Sequence, residues 1–305
     1  MTIVISRWAG AGHRTIAEVT AAAERAKAEG FDTLWLPQTL TFDAMTALAV
    51  TAAAVPDLKL GTAVVPIQGR HPIPLAQQAL TVADVAGPGR FTLGLGVTHA
   101  PVSEGFYGIP YSEVVSLCRE ELDALVGLLG PDRKASVEGR HLVARGPVMV
   151  DTPAPSVLLA ALGPKMLELA GTRTDGTVTW MTGPRTLASQ VVPGIREAAA
   201  TAGRPEPRVV AGLPVCVTSD PAGARDRVRP RIESAGQMPS YRRQLAAEGL
   251  DDVADLALLG TADEVAERID ALAGIGVTEL MADVAGDDDE IAATTELLGR
   301  LAGRS

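Results

Sequence analysis

Short, apolar, β-branched runs alternate with longer alanine-rich amphipathic stretches along most of this chain. That alternation is typical of βαβ units, in which helices join parallel strands. Eight strands separated by helices close into a (β/α)8 barrel, whereas an open doubly wound sheet has about five to seven strands. We therefore predict an α/β fold of the TIM-barrel class. The predicted strands are Thr2–Ser6, Phe31–Leu36, Leu58–Val65, Phe91–Leu95, Val157–Leu162, Thr177–Met181, Arg208–Thr218 and Val277–Val284.

Residues 1–305 are predicted to form one domain, because no stretch has the composition of an interdomain linker. Three segments interrupt the alternation, at about 100–111, 130–156 and 220–259, and we interpret them as insertions. The first is predicted to be a loop. The second contains a Gly-Pro turn and several prolines, which predict a short hairpin. The third has a helical pattern with a break near Met238-Pro239.

Composition restricts the partners that the chain can have. The net charge of −10 disfavours nucleic acids and anionic membranes, because both bind clustered Lys and Arg. No apolar segment is long enough to span a membrane, and the N-terminus lacks the pattern of a signal peptide, so we expect a cytoplasmic protein. With two cysteines and no metal-ligand spacing, no metal site is predicted. A small molecule is the expected partner.

Residues able to carry chemistry gather after the predicted strands. His13, His71 and His99 follow strands one, three and four, and Trp8 and Trp180 end strands one and six. In a barrel, the loops after the strands meet on one face, where active sites of this fold lie. A single loop histidine is more often solvated than functional. The whole set favours a functional cleft, because aromatic residues make up only 3% of the chain.

The fourth strand ends in Gly94-Leu95-Gly96, with His99 shortly after it. This is a weak dinucleotide signal, because the third glycine and the later acidic residue of the fingerprint are missing, and we reject it. Two interpretations of His99 stay open. Its imidazole could move a proton or contact a cofactor ring, or it could be a solvated loop side chain.

A second candidate site follows the fifth strand, where Gly163 and Pro164 lead into a helix. Free amides at a helix N-terminus bind anions, and Lys165 adds positive charge. An ordinary strand-to-helix turn would have the same sequence, so the pattern alone leaves both interpretations open.

Several segments, taken in order, resemble the bacterial luciferase-like oxidoreductases, specifically the actinobacterial branch that uses coenzyme F420, a deazaflavin. The resemblance covers essentially the whole chain and depends on the ordered set. The segments are AERAKAEGFDTLWLPQ, LKLGTAVVPIQGRHPIPLAQQALT, GRFTLGLGV, ALGPKM, DGTVTWM, MPSYRRQL and LGTADEVAERIDALAGIGVTEL.

The resemblance implies a single luciferase-like barrel, a homodimer and coenzyme F420 as the cofactor. It implies a cis peptide bond between Ala63 and Val64, in a bulge that supports the deazaflavin ring. It also places the cofactor phosphate after strand five and the ring beside strands four and six. The residues implied to bind the cofactor are Leu162, Gly163, Pro164, Lys165 and Met166 for the phosphate, Val97, His99, Trp180 and Met181 for the ring, and Trp8, Pro37 and Gln38 at the mouth.

One departure from the family concerns the reaction. Its sugar-phosphate dehydrogenases carry an acid–histidine pair after strand two and a glutamate after strand four, where this chain has Gln38-Thr39 and His99. Sugar oxidation is therefore disfavoured, and His99 is left as the catalytic residue. The expected activity is hydride transfer between C5 of the deazaflavin and a small organic substrate. The alternatives are an FMN-dependent two-component monooxygenase and a non-catalytic flavin-binding protein.

Overall fold

A computed structural model of the protein describes residues 3–303, and all side chains in that range except those of 234 and 235. Eight parallel strands form a ring, which closes because β10 pairs with both β9 and β12, and β12 with β1. The predicted (β/α)8 barrel is confirmed. The strands are β1 (Val4–Trp8), β2 (Thr33–Leu36), β3 (Lys59–Thr62), β4 (Val65–Pro66), β5 (Phe91–Gly96), β6 (Lys134–Glu138), β7 (Val143–Pro147), β8 (Ser156–Leu159), β9 (Gly176–Trp180), β10 (Arg208–Val217), β11 (Leu258–Gly260) and β12 (Glu279–Val284).

Helices cover the outside of the ring. Side-chain caps fix several of their first turns, and Thr15, Thr261 and Asp287 each form a capping box with the glutamate three residues later. The helices are α1 (Ile16–Ala28), α2 (Ala44–Ala54), α3 (Pro72–Ala86), α4 (Ala100–Gly105), α5 (Val114–Leu129), α6 (Pro164–Arg173), α7 (Pro184–Thr186), α8 (Val192–Thr201), α9 (Pro221–Gly236), α10 (Pro239–Glu248), α11 (Ala262–Gly274) and α12 (Asp288–Ala302). None of the helices within the described range is both long and apolar enough to cross a membrane.

The third barrel strand is interrupted where the resemblance implied. The peptide bond between Ala63 and Val64 is cis, and the strand resumes as β4 beside the end of β5. The Thr62 hydroxyl bridges the interruption, because it donates to the Gly94 carbonyl at 2.8 Å and accepts from the Gly94 amide at 2.9 Å. A Cβ atom at Gly94 would lie 1.9 Å from the Thr62 carbonyl oxygen. A glycine is therefore required opposite this bulge.

The three insertions differ in how closely they follow prediction. The 130–156 segment forms the expected hairpin, with β6 and β7 antiparallel, and α9 and α10 are separated near Met238 as expected. The 100–111 segment was predicted to be a loop, but it begins with α4. The helical prediction for the end of the 220–259 segment is also wrong, because Leu258–Gly260 is a strand that pairs with β10. The predicted first strand begins at Thr2, which lies outside the described residues.

The barrel interior is filled mainly by large apolar side chains, with Trp35 at its centre. Trp35 is fully buried inside the ring, where its indole NH donates to Glu279 at 2.7 Å and to Ser6 at 3.1 Å. The Arg208 guanidinium donates to the other Glu279 oxygen at 2.9 Å and to the Thr92 hydroxyl at 3.3 Å. These groups lie at the N-terminal ends of β10 and β12 and close that end of the barrel.

Candidate functional site

The three histidines that follow strands have different roles. The His13 ring bonds the Ala9 carbonyl oxygen at 2.6 Å, within its own loop. His71 caps α3 through its Nδ1 atom and bonds the Val143 carbonyl oxygen at 3.0 Å, which ties α3 to the hairpin. His99 differs from both, since no hydrogen bond or ion pair from residues 3–303 engages its ring. His99 is therefore the histidine left available for a ligand.

His99 is held at the C-terminal end of the fourth barrel strand. Just beyond β5, the Thr98 amide donates to Gln68 Oε1 at 3.0 Å, which fixes the backbone next to the histidine. His99 then precedes α4 as its N-cap residue without making a capping bond. Its side chain is half-buried, and this burial lowers the pKa of the imidazole. The ring is therefore neutral at neutral pH and can accept a proton from a ligand.

The roof over His99 comes from the third insertion. The Tyr241 ring, near the start of α10, lies with its centroid 6.0 Å from the His99 ring centroid, at an interplanar angle of 49°. Burial raises the pKa of the Tyr241 hydroxyl to about 12, so the hydroxyl stays protonated. Sequence reasoning did not single out Tyr241, although the segment MPSYRRQL that carries it was one of the family markers.

Two tryptophans and the bulge lie together at the mouth of the barrel. The ring centroids of Trp8 and Trp180 are 4.5 Å apart. Both residues are partly exposed, and both pack against the inner core cluster. Ala63 and Val64 pack against the same inner cluster. A Cβ atom at Gly96 would lie 2.8 Å from Val64 Cγ2, so this glycine lets the bulge pack against β5. The structure thus brings together four of the predicted cofactor-binding residues, namely Trp8, Ala63, Val64 and Trp180.

The predicted phosphate loop follows β8 and leads into α6. Gly163 is its N-cap residue and makes no side-chain cap, and the Gly163 and Lys165 amides donate to no acceptor in the described part of the chain. Gly163, Pro164 and Lys165 are exposed, and Lys165 has no ion-pair partner among those residues. Open amides at a helix N-terminus and a free ammonium are groups that attract anions, so this loop is a candidate anion site.

Among the remaining predicted site residues, Gln38 and Met181 fit less well. Both polar ends of the Gln38 amide are used by the loop before α2, since Oε1 accepts from the Ala44 amide at 2.8 Å and Nε2 donates weakly to the Thr39 and Phe42 carbonyls. Pro37 and Val97 are partly exposed. Leu162 and Met166 are also partly exposed at the phosphate loop. The assignment of Met181 to the pocket is wrong for this structure, because its side chain is fully buried in the core and offers no surface to a ligand.

Sequence reasoning also missed two polar groups near the mouth. Gln68 is buried, and its Nε2 atom has no hydrogen-bond partner among the residues described. Asp283, near the end of β12, is buried and accepts from Arg231 of α9 at 2.7 Å. Burial raises the pKa of Asp283 to about 6, despite the opposing attraction of Arg231. No periodicity marks either residue, since a single polar residue within an apolar strand or loop is common.

A cavity of about 690 Å³ opens between the loops that follow β1 and β2. Arg14, Thr39 and Phe42 are among its lining residues. Thr39 is one of the residues that replace the acid–histidine pair of the sugar-phosphate dehydrogenases. Its hydroxyl bonds the Thr41 hydroxyl at 3.2 Å, so this position offers no strong acid or base.

Comparison with known proteins identifies the family. The family described as luciferase-like monooxygenase matches residues 1–279, so this chain belongs to that family. A Mycobacterium tuberculosis protein, provisionally named a coenzyme F420-dependent oxidoreductase, is 29% identical over 86% of this chain and 82% of its own length. The 5,10-methylenetetrahydromethanopterin reductase of Methanolobus tindarius is 27% identical over 85% of this chain and 88% of its own. The F420-dependent glucose-6-phosphate dehydrogenase of Beutenbergia cavernae is 28% identical over 77% and 74%.

Solved structures agree on the fold. An F420-dependent secondary alcohol dehydrogenase, solved with an F420-acetone adduct, has a TM-score of 0.83 over 99% of this chain and 98% of its own, at 19% identity. EDTA monooxygenase from Chelativorans has a TM-score of 0.80 over 100% and 94%, at 18% identity. At these identities the likeness establishes the barrel architecture, which enzymes of different chemistry share.

Proposed function

We propose that this protein is a coenzyme F420-dependent oxidoreductase, which transfers a hydride between C5 of the deazaflavin and a small organic substrate. The anion-binding loop at the start of α6, on the same face as the bulge and the two tryptophans, carries the proposal. The names of the relatives in Mycobacterium, Methanolobus and Beutenbergia support F420 in particular.

The residues present fit such a cofactor. The Gly163 and Lys165 amides and the Lys165 ammonium would hold the phosphate, and Leu162, Pro164 and Met166 would shape that loop. Ala63, Val64, Val97 and Trp180 would support the ring, and Trp8 and Pro37 would line the mouth. The buried, unpartnered Gln68 Nε2 atom offers a donor to a polar edge of the ring. When bound, the deazaflavin supplies or accepts the hydride.

The protein's own chemical contribution is proton transfer and positioning. Holding the donor and the acceptor of the hydride face to face lowers the entropic part of the barrier. His99, whose ring has no hydrogen bond or ion pair within the described residues, moves the proton that accompanies the hydride. The Tyr241 ring of α10 covers part of His99, so that less water competes for the hydrogen bonds of the imidazole.

Titration of the purified protein with F420 and with FMN tests the cofactor assignment, with quenching of cofactor fluorescence as the measurement. We expect F420 to bind more tightly than FMN. The anion loop could hold the phosphate of either cofactor, and solved FMN-linked monooxygenases share the fold. Tight binding of FMN without binding of F420 would replace the proposal with a monooxygenase that receives reduced flavin from a partner reductase.

A screen of small organic compounds with the F420-loaded protein tests whether the site is catalytic. We expect at least one compound to cause a time-dependent change in deazaflavin absorbance. A protein that binds F420 but leaves its redox state unchanged with every compound class tested would instead be a cofactor-binding protein.

We further propose, from the family resemblance, that the protein is a homodimer. Size-exclusion chromatography with light scattering gives the mass in solution directly. A mass of one chain across the accessible concentration range contradicts this proposal.

A further inference from the structure

We infer that Tyr241 binds the substrate jointly with His99, and that the two side chains hold the oxygen atom of an alcohol that is oxidised to its carbonyl. The inference rests on the proposed function, because the hydride goes to the deazaflavin. Tyr241 donates a hydrogen bond to the substrate oxygen, and the His99 imidazole accepts the hydroxyl proton.

The His99 and Tyr241 rings are neighbours at the mouth of the barrel. Their centroids lie 6.0 Å apart and the rings are tilted by 49°, so the two side chains border the same space. Neither the Tyr241 hydroxyl nor the His99 imidazole has a hydrogen-bond partner among residues 3–303. Both side chains are partly buried, and polar groups in such positions are normally satisfied, here by a ligand or water.

The surroundings of His99 and Tyr241 suit an uncharged ligand. Burial is the single cause of both pKa shifts, and no charged side chain in the described part of the chain contributes to either. A carboxylate substrate would require a cation at this position, and an iminium would require an anion. A neutral hydroxyl or carbonyl oxygen needs neither. The protonated tyrosine is a donor and the neutral imidazole an acceptor, and these are the two partners that an alcohol oxygen and its proton require.

Hydrogen bonds to α7 hold α10 in place. Tyr241, Leu245 and Glu248 lie on one face of the helix, and Leu245 and Glu248 are buried. The Glu248 carboxylate accepts from the amides of Thr186 at 2.6 Å and Arg185 at 3.2 Å, and so caps α7. The Arg185 guanidinium donates to the Glu248 carbonyl at 3.0 Å. These bonds keep the Tyr241 side chain at its position over His99.

In the proposed step, the substrate O–H bond breaks and its proton goes to His99. The adjacent C–H bond breaks, its hydride goes to oxidised F420, and a C=O bond forms. Tyr241 keeps its proton throughout and stabilises the negative charge that develops on the oxygen. The imidazolium then returns its proton to water. Carbonyl reduction is the reverse, with His99 protonated at the start.

The test compares Tyr241→Phe with Tyr107→Phe, a change at an exposed tyrosine in the first insertion. F420 affinity is measured first, for both variants and the parent, and then a panel of primary and secondary alcohols is assayed with oxidised F420. We expect Tyr241→Phe to lower kcat/KM for the best alcohol at least about tenfold, through both KM and kcat, because the lost hydrogen bond holds the bound oxygen and stabilises the charge that develops on it. F420 affinity should stay within about twofold, and Tyr107→Phe should behave like the parent.

A binding measurement avoids dependence on turnover. The ketone or aldehyde product of the best alcohol cannot react with oxidised F420, and its dissociation constant can be followed through tryptophan fluorescence, since Trp8 and Trp180 lie at the mouth. We expect Tyr241→Phe to weaken it about tenfold. Equal affinity in parent and variant overturns the role of Tyr241. F420 binding without turnover of any alcohol or carbonyl overturns the substrate class, whereas failure to bind F420 overturns the proposed function itself.

Discussion

The two ends of the barrel differ in whether their polar groups have partners. At the N-terminal end, Glu279 accepts from both Trp35 and Arg208, and these groups satisfy one another. At the C-terminal mouth, the His99 ring, the Tyr241 hydroxyl and the Lys165 ammonium have no partner in the described range. Satisfied buried groups stabilise a fold, whereas unsatisfied groups at a cleft are available to a ligand. The comparison predicts that changes at the first end affect unfolding and changes at the mouth affect binding or turnover.

The largest expected effect is at the N-terminal end. Glu279→Ala should lower the free energy of unfolding by about 3–5 kcal/mol, because Trp35 loses an acceptor and Arg208 is left without its anion. Urea unfolding followed by circular dichroism measures the change. Glu267→Ala, at an exposed position of α11, is the control and should change stability by about 0.5 kcal/mol at most. A free energy of unfolding for Glu279→Ala equal to that of the parent would contradict the comparison.

The next effect is at the mouth. His99→Ala should lower kcat by about a hundredfold or more, because the proton loses its acceptor, while F420 affinity stays within about tenfold. Steady-state kinetics and fluorescence titration give the two numbers. His141→Ala, in the hairpin region, serves as the control. Unchanged turnover in His99→Ala would remove this residue from the mechanism.

A buried acid outside both regions sharpens the comparison. Glu121 on α5 is buried, its Oε2 atom has no partner among the described residues, and burial, with Glu120 adding to it, raises its pKa to about 8. The folded-state pKa therefore exceeds the ordinary value, so the stabilising contribution of the protonated acid is lost as pH rises toward 8. Between about pH 6.5 and 8, the parent should lose about 1–2 kcal/mol of stability.

Glu121→Gln should flatten that pH dependence, since glutamine does not titrate. The pH window avoids Asp283, whose pKa of about 6 is already passed, and His99, whose pKa is lowered by burial. Glu24→Gln, at an exposed position of α1, should retain the slope of the parent. A Glu121→Gln variant with the same slope as the parent would assign the pH dependence to other groups.

The smallest effect is expected at the phosphate loop. Lys165→Met should weaken F420 binding about fivefold, close to 1 kcal/mol, because the open amides at the start of α6 still hold the phosphate. The weakening should diminish with added salt, since the lost attraction is between an exposed ammonium and an anion. Lys59→Met, at the start of β3 and the opposite end of the barrel, should have no effect on F420 affinity. Equal F420 affinity in Lys165→Met and the parent would show that the amides suffice.

Strand count and order could be predicted from sequence because each strand is a local run of apolar residues bounded by turn residues. The errors occur where a local pattern is ambiguous. Leu258–Gly260 is only three residues long and follows a helical segment, so its pairing with β10 leaves no periodic signal. The short helix α4 has no capping bond and begins with Ala100 and Pro101, which also suit a loop.

The site could be predicted in part. The position of the Ala63–Val64 bulge and the phosphate loop followed from the resemblance, and the structure confirms the cis bond. Tyr241 could not be placed, because 142 positions separate it from His99 (241 minus 99) and the contact depends on how the third insertion folds back. Met181 was misassigned because it was assumed to share the pocket of Trp180, although the chain turns just beyond β9, where Met181 has a left-handed backbone conformation and a side chain buried in the core.

The pairing of Thr62 with Gly94 has an evolutionary consequence. The Thr62 hydroxyl bonds both the amide and the carbonyl of Gly94, and the two backbones lie too close for a side chain at position 94. Neither position tolerates a change easily. Any side chain at 94 would collide with the Thr62 carbonyl oxygen, and loss of the Thr62 hydroxyl would leave the Gly94 amide and carbonyl without this hydrogen-bond partner. In a library of single substitutions, both positions should therefore tolerate very little. Among descendants of this sequence, the glycine should stay unchanged and position 62 should keep a hydroxyl side chain, because the carbonyl that a Cβ at 94 would meet belongs to the backbone.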